Sequence, residues 1–158
     1  MCGICGGVGP KAPNFDQLTA QLKSIEHRGP DDSGTYLAPQ VSLGMCRLAI
    51  VEVSNGKQPA TDDLSLINLV WNGEIYNYQE IREELYKRGA HCTNTSESEV
   101  IIRAYLTYGI DFISKLNGMF AIALYDTRDK TLHLIRDRMG KKPLWISQTT
   151  DGTLRPKS

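Results

Sequence analysis

The chain has 158 residues, 41% apolar and 23% charged, with 18 Lys and Arg balancing 18 Asp and Glu. That length supports one domain with a proper core and falls short of two, and the zero formal charge argues against a general nucleic-acid or anionic-membrane surface. No apolar run reaches the ~18 residues that cross a bilayer, and the start lacks the basic-then-apolar layout of a signal peptide, so a cytoplasmic protein is expected.

Residues 4–8 read as a short, Gly-rich buried strand where a ligand or another backbone comes close. Residues 14–26 place Leu18, Leu22 and Ile25 on one helical face. Residues 27–34 are a loop punctuated by Gly and Pro. Strands are expected over 35–37 and 41–51 with a turn around Pro39, then a polar connector over 58–63. The apolar run 64–71 is a strand that Asn72-Gly73 ends with a turn signal. An amphipathic helix follows over 78–88, closed by Gly89. A second helix over 97–108 starts from a capping box, with Ser96 as N-cap and Glu99 at N3, and Gly109 sits past its end. Residues 119–125 are nearly all apolar, as in a strand buried on both faces. A turn over 126–130 leads to a strand at 131–136, and 143–147 offers another. The polar stretch 149–158 is expected to be a loose tail, leaving a domain over 1–148. Many strands with helices grouped in the middle imply an α+β domain of two sheets packed face to face with helices outside.

Four cysteines are present, Cys2, Cys5, Cys46 and Cys92. Cys2 and Cys5 form a C-x-x-C, but no second such pair exists and His27, His91 and His133 lack ligand spacing, so no metal site is expected. The motif also stands at the chain start and not after a strand at a helix N-terminus, which opposes thiol redox chemistry. Cys5, Cys46 and Cys92 read as small buried hydrophobes. Cys2 differs. Once Met1 is removed it carries a free α-amine beside its own thiol. The amine can take the thiol proton directly or through one water, with no imidazole partner.

Three polar positions near strand or helix ends each carry two readings. Arg47 lies in an otherwise apolar stretch, either as a structural ion pair or as a fork for a substrate carboxylate. Asn72-Gly73-Glu74 is either a hairpin-type turn or an amide and a backbone N–H aimed at one point, as an oxyanion hole requires. Glu74 would then hold an ammonium. Glu97 either favours the helix start through the macrodipole or helps to hold that ammonium. The functional readings together describe one ligand with a carboxylate, an ammonium and a carbonyl for Cys2. A free amino acid with a side-chain amide matches, and glutamine is the obvious case.

The motifs Met1-Cys2-Gly3-Ile4-Cys5-Gly6, His27-Arg28-Gly29-Pro30-Asp31, Arg47-Leu48-Ala49-Ile50-Val51 and Asn72-Gly73-Glu74-Ile75-Tyr76-Asn77 follow one another along the chain. Asn117-Gly118-Met119-Phe120-Ala121 and the segment from Arg136 to Leu144 complete the set. In this order they resemble the class II, amino-terminal-nucleophile glutamine amidotransferases, nearest to the glutaminase domain of glutamine-hydrolysing asparagine synthases. The resemblance implies a four-layer αββα sandwich of two antiparallel sheets, the amino-terminal nucleophile hydrolase fold. It implies hydrolysis of L-glutamine to glutamate and ammonia, with Cys2 as nucleophile and its own α-amine as base. It places Arg47 on the substrate carboxylate, with Leu48, Ala49, Ile50 and Val51 lining the pocket. Asn72 and Gly73 correspond to the oxyanion hole, and Glu74 and Glu97 to the ammonium contacts.

Two departures from the family pattern stand out. Glu97 occupies a position where Asp is usual, which keeps the charge but lengthens the side chain by one methylene. The carboxy-terminal synthetase domain of such synthases, with its ATP pyrophosphate loop, is absent from this chain. Ammonia would therefore pass to a synthetase domain or subunit elsewhere, where ATP and Mg are expected, and no cofactor is expected here. A homodimer is compatible with this reading. The alternatives are a synthase-like amidotransferase with another acceptor, or a non-catalytic regulatory module of the same fold.

Overall fold

A computed structural model describes residues 2–48 and 56–158. Met1 and the expected pocket residues Ala49, Ile50 and Val51 lie outside the described residues. The chain runs β1 (Gly3–Val8), α1 (Phe15–Ile25), β2 (Asp32–Ala38), β3 (Val41–Arg47), β4 (Ala60–Thr61) and β5 (Ile67–Ile75). It continues through α2 (Tyr78–Lys87), α3 (Glu97–Tyr108), β6 (Gly118–Asp126), β7 (Thr131–Arg136), β8 (Trp145–Gln148) and β9 (Leu154–Lys157). One sheet has the order β2-β3-β1-β9-β8 and the other β4-β5-β6-β7. The strand pairings within both are antiparallel.

The layer order follows from side-chain alternation along β6. Successive residues of a strand point to opposite faces, and both faces of β6 are apolar. Phe120, Ile122 and Leu124 join Leu69 and Trp71 of β5 under α2 and α3, where Leu85, Ile101 and Phe112 are buried. Ala121, Ala123 and Tyr125, with Val70, meet Ile4, Leu43 and Met45 of the other sheet. On the far side of that sheet Cys5 and Cys46 pack with Leu18, Leu22 and Ile25 of α1. The result is helix, sheet, sheet, helices: the four-layer α+β arrangement expected.

The helices begin where their caps stand. Asn14 Oδ1 accepts the Gln17 N–H at 3.0 Å and Gln17 Oε1 accepts the Asn14 N–H at 3.1 Å, a full capping box for α1. At α3 only half of the expected box forms. Ser96 Oγ accepts the Glu99 N–H at 3.2 Å, but the Ser96 N–H donates to Asn94 Oδ1 at 2.8 Å. The Glu99 carboxylate instead takes Arg103 Nε at 2.8 Å and the Thr93 N–H at 3.3 Å.

Two expectations are corrected. Asn72-Gly73 does not end a strand: β5 runs through it to Ile75, with Asn72 opposite Ala121 and Gly73 opposite Phe120. The long register against β6 outweighs the local turn preference, and the glycine serves close approach. A Cβ at Gly73 would stand 2.1 Å from the Met119 carbonyl oxygen. The second correction concerns residues 149–158, which are not loose. They close a hairpin, with Asp151 Oδ1 accepting the Thr153 N–H at 3.0 Å and the Thr149 hydroxyl at 2.7 Å. β9 then lies between β1 and β8 inside the sheet. The polar composition that suggested a tail supplies the turn's own hydrogen bonds.

The apolar layer beneath α2 and α3 sets the stability of this half. Leu69→Ala should cost about 2–5 kcal/mol in a denaturant unfolding curve, as for other buried leucines. The exposed Leu64 is its control, and Leu64→Ala should stay within about 0.5 kcal/mol of the parent.

Candidate active site

The start of β1, the end of β3 and the end of β5 converge on one cleft of about 300 Å³, at the small end of ligand-pocket sizes. Cys2, Arg47, Leu48, Asn72, Gly73, Glu74 and Glu97 all line it. Residues far apart in the chain are thus brought together, and Ala49, Ile50 and Val51 are the only proposed site residues left outside the described part.

Cys2 precedes β1, whose first residue Gly3 is opposite Cys46 of β3. Arg28 Nε and Nη2 both donate to the Cys2 carbonyl at 3.3 Å, which fixes the backbone of the chain start. The half-buried Cys2 thiol faces the Leu48 carbonyl at 3.9 Å. The other cysteines differ in environment. Burial, reinforced by the neighbouring Cys46 thiol, pushes the Cys5 pKa up to about 12. Cys46 is also raised, by burial first and then by Glu26 and Cys2, and its thiol donates to the Leu22 carbonyl at 3.4 Å. Cys5 and Cys46 are therefore buried small side chains as expected, whereas Cys92 is only half-buried.

Arg47 closes β3 and is 6% exposed. The loop after α1 braces it. Gly29 lies so close that a Cβ there would stand 2.5 Å from the Arg47 carbonyl carbon and 2.6 Å from its nitrogen. The Asp31 N–H then donates to the Arg47 carbonyl at 3.0 Å. The Gly-Pro punctuation of this loop is the visible sequence signal for that contact.

On β5, alternation sends Trp71 toward the helices and Asn72 toward the other sheet. Trp71 Nε1 donates to Ser98 Oγ at 2.9 Å, tying the strand to the first turn of α3. Asn72 is 2% exposed, and its Nδ2 donates to Ser158 Oγ at 3.3 Å. Glu97, the first residue of α3, accepts the Ile75 N–H with Oε1 at 2.8 Å. It therefore occupies both places considered from sequence: it sits at the helix start and on the cleft wall.

Lys142 was missed. It is 5% exposed and lines the cleft. Its segment folds around Asp137, which accepts N–H groups from Phe120 at 3.2 Å and from Lys141 and Lys142 at 2.9 Å. Burial opposes the Asp137 charge, but these backbone donors outweigh it and hold the carboxyl below its usual range. A lysine beside proline in a basic loop reads as a solvated charge, so sequence offers little signal for its burial. Among the described residues no group of three His, Cys, Asp or Glu could hold a metal ion. No helix of the described residues is long and apolar enough to cross a membrane.

The cleft thus offers a thiol, a guanidinium, an amide donor and two carboxylates within one small volume. A model of the glutamine amidotransferase domain family matches residues 1–158. The chain is 39% identical over 156 residues to asparagine synthetase (glutamine-hydrolyzing) 1 of Bacillus subtilis, covering 96% of this chain and 25% of that protein. It is 37% identical over 161 residues to asparagine synthetase (glutamine-hydrolyzing) 3 of Arabidopsis thaliana, covering 98% and 27%. It therefore spans about a quarter of the length of these curated relatives. The fold matches glutamine phosphoribosylpyrophosphate amidotransferase from B. subtilis, complexed with ADP and GMP, with a TM-score of 0.81. That match covers 99% of this chain and 41% of that one at 19% identity, a likeness of fold.

The contrast among the thiols is directly measurable. Brief iodoacetamide treatment of the native protein near neutral pH should alkylate Cys2 and spare Cys5 and Cys46, which should react only on unfolding. Peptide mass spectrometry reads this, and early labelling of Cys5 would contradict its burial.

Proposed function

This chain belongs to the glutamine amidotransferase domain family, and we propose that it hydrolyses L-glutamine to glutamate and ammonia through Cys2. One observation carries the reading. The Cys2 thiol, the Arg47 guanidinium, the Asn72 amide and the carboxylates of Glu74 and Glu97 line the same cleft, although they come from separate elements.

With Met1 removed, the Cys2 α-amine takes the thiol proton and Sγ attacks the side-chain amide carbon. The developing oxyanion is held by Asn72 Nδ2 and the Gly73 N–H, donors set in a strand and needing no reorganisation. The protonated amine then gives its proton to the leaving nitrogen, the carbon–nitrogen bond breaks, and ammonia departs from a thioester. Water, deprotonated by the same amine, attacks the thioester and releases glutamate and the thiol. Arg47 takes the substrate α-carboxylate, and Glu74 and Glu97 take its α-ammonium. Charges of both signs in one cleft suit a zwitterion and would fix which end of it meets Cys2. The Ile75 N–H bound to Glu97 Oε1 keeps that longer acid on the cleft wall.

The relatives' names support asparagine synthesis as the fate of the ammonia. We propose a synthetase domain or subunit beyond this segment, using ATP and Mg, as the acceptor's site. A cytoplasmic setting goes with this reading.

Mass spectrometry of the active protein should find Cys2 first, because a peptide-bonded nitrogen cannot act as the base, and Cys2→Ala should abolish ammonia release while the far-UV spectrum stays unchanged. Full glutaminase activity in protein retaining Met1 would overturn the mechanism.

The anchoring and the chemical roles separate in steady-state kinetics. Arg47→Ala and Glu97→Gln should raise KM for glutamine, since each removes a charged ligand contact. Asn72→Ala should lower kcat by roughly 10²–10³-fold with KM little changed, as for other oxyanion donors. An unaltered KM in both anchoring variants would leave Arg47 and Glu97 as structural ion-pair and helix-start residues.

A further inference from the structure

Asn72 can act as an oxyanion donor only if its amide is held at a fixed angle. Its hydrogen-bond partner in the structure is a residue to which the reading above assigns no role. Asn72 Nδ2 donates to Ser158 Oγ at 3.3 Å, and both side chains are buried. An amide nitrogen carries two hydrogens. The one committed to Ser158 fixes the amide plane, and the second is then fixed in direction as well.

The placement of Ser158 follows from its strand. It continues β9 and forms a reciprocal pair with Ile4: the Ile4 N–H donates to the Ser158 carbonyl at 3.1 Å, and the Ser158 N–H donates to the Ile4 carbonyl at 3.0 Å. Cross-strand partners put their side chains on the same face. Ile4 belongs to the inter-sheet cluster, with Cys2 packed against it, so Ser158 points into that seam too. Asn72 approaches from the opposite sheet, on the face that carries Val70. The Asn72–Ser158 hydrogen bond therefore crosses between the sheets. It links β5 to the end of β9, at the residue paired with Ile4, two positions from Cys2.

We propose that Ser158 is a positioning residue for glutamine hydrolysis, setting the Asn72 amide relative to the Cys2 thiol through this inter-sheet hydrogen bond. The inference rests on the oxyanion role of Asn72. It predicts an effect on turnover and not on substrate affinity, because Ser158 is not among the residues lining the cleft.

The test is steady-state kinetics of glutamine hydrolysis in the full-length protein, with Ser158→Ala, Ser158→Thr, Asn72→Ala and the double variant Asn72→Ala/Ser158→Ala. Ser158→Ala should lower kcat by about 10-fold while KM stays within about twofold, a split expected when only transition-state stabilisation is lost. Ser158→Thr keeps the hydroxyl and should restore most of kcat. The double variant should be no slower than Asn72→Ala alone, since the serine acts only through the amide. Glutamate γ-semialdehyde, which Cys2 can add to, should bind Ser158→Ala more weakly by a similar factor, with glutamate binding unchanged. If Ser158→Ala loosens β9, Ser158→Cys keeps the size with a poor acceptor and should show the same kcat loss. Wild-type kcat in a folded Ser158→Ala or Ser158→Cys variant overturns the proposal. Additive losses in the double variant also overturn it. An Asn72→Ala variant with normal kcat overturns the oxyanion reading as well, which distinguishes that failure from a failure of Ser158 alone.

Discussion

The seam between the two sheets is the constraint on which everything else depends. The strand that follows Cys2 belongs to one sheet and the strand that carries Asn72 to the other, so no single element sets the geometry between them. The thickness of the seam sets it, commonly about 10 Å for face-to-face sheets. Here the inner face of β6 contributes Ala121 and Ala123, small residues facing Ile4, Leu43 and Met45. A bulkier pair would wedge the sheets apart, and the two halves of the site would separate with them. Apolar packing in the seam thus sets the spacing of the cleft residues as well as contributing stability.

Around that seam the loops are tied down by specific polar contacts. Arg28 holds the Cys2 carbonyl, the Gly29–Asp31 turn lies against the Arg47 backbone, and Asp137 gathers backbone N–H groups, those of Phe120, Lys141 and Lys142 among them, just past β7. Each contact fixes main chain, and so fixes the direction of the side chain that follows. Preorganisation of this kind is what a site handling a small zwitterion requires, because misplacement by about 1 Å is costly to catalysis. Rigidity is distributed over the loops and not confined to the sheets.

Much of this could be read from the sequence. The helical face of α1 and the doubly apolar β6 are strong periodic signals that suggest packed sheets with helices outside, but periodicity alone does not fix the topology. The site residues were legible because their types are unusual in their surroundings: an arginine in an apolar run, and a cysteine at position 2. The failures have a common cause. Asn72-Gly73 and the stretch after Gln148 were judged by local turn and polarity preferences, whereas both are held by pairing with strands distant in the chain. The Glu99 box went half-formed for a similar reason, because Asn94 and Arg103 offered better partners. Lys142 stayed invisible because its burial depends on how a loop wraps around Asp137, which no periodicity encodes.

The pairing of β1 with β9 has a consequence for the order in which the protein is made. β1 leaves the ribosome well before β9, yet they are neighbours in the middle of one sheet. Until β9 emerges, β1 has β3 on one side and an open edge on the other. Such an edge is available to wrong partners and gains its native one only across about 150 residues, a slow, non-local closure. The nascent domain is therefore a half-built sheet with Cys2 already synthesised. The cleft side of this sheet is completed only after β9 has been translated, about 150 residues behind β1.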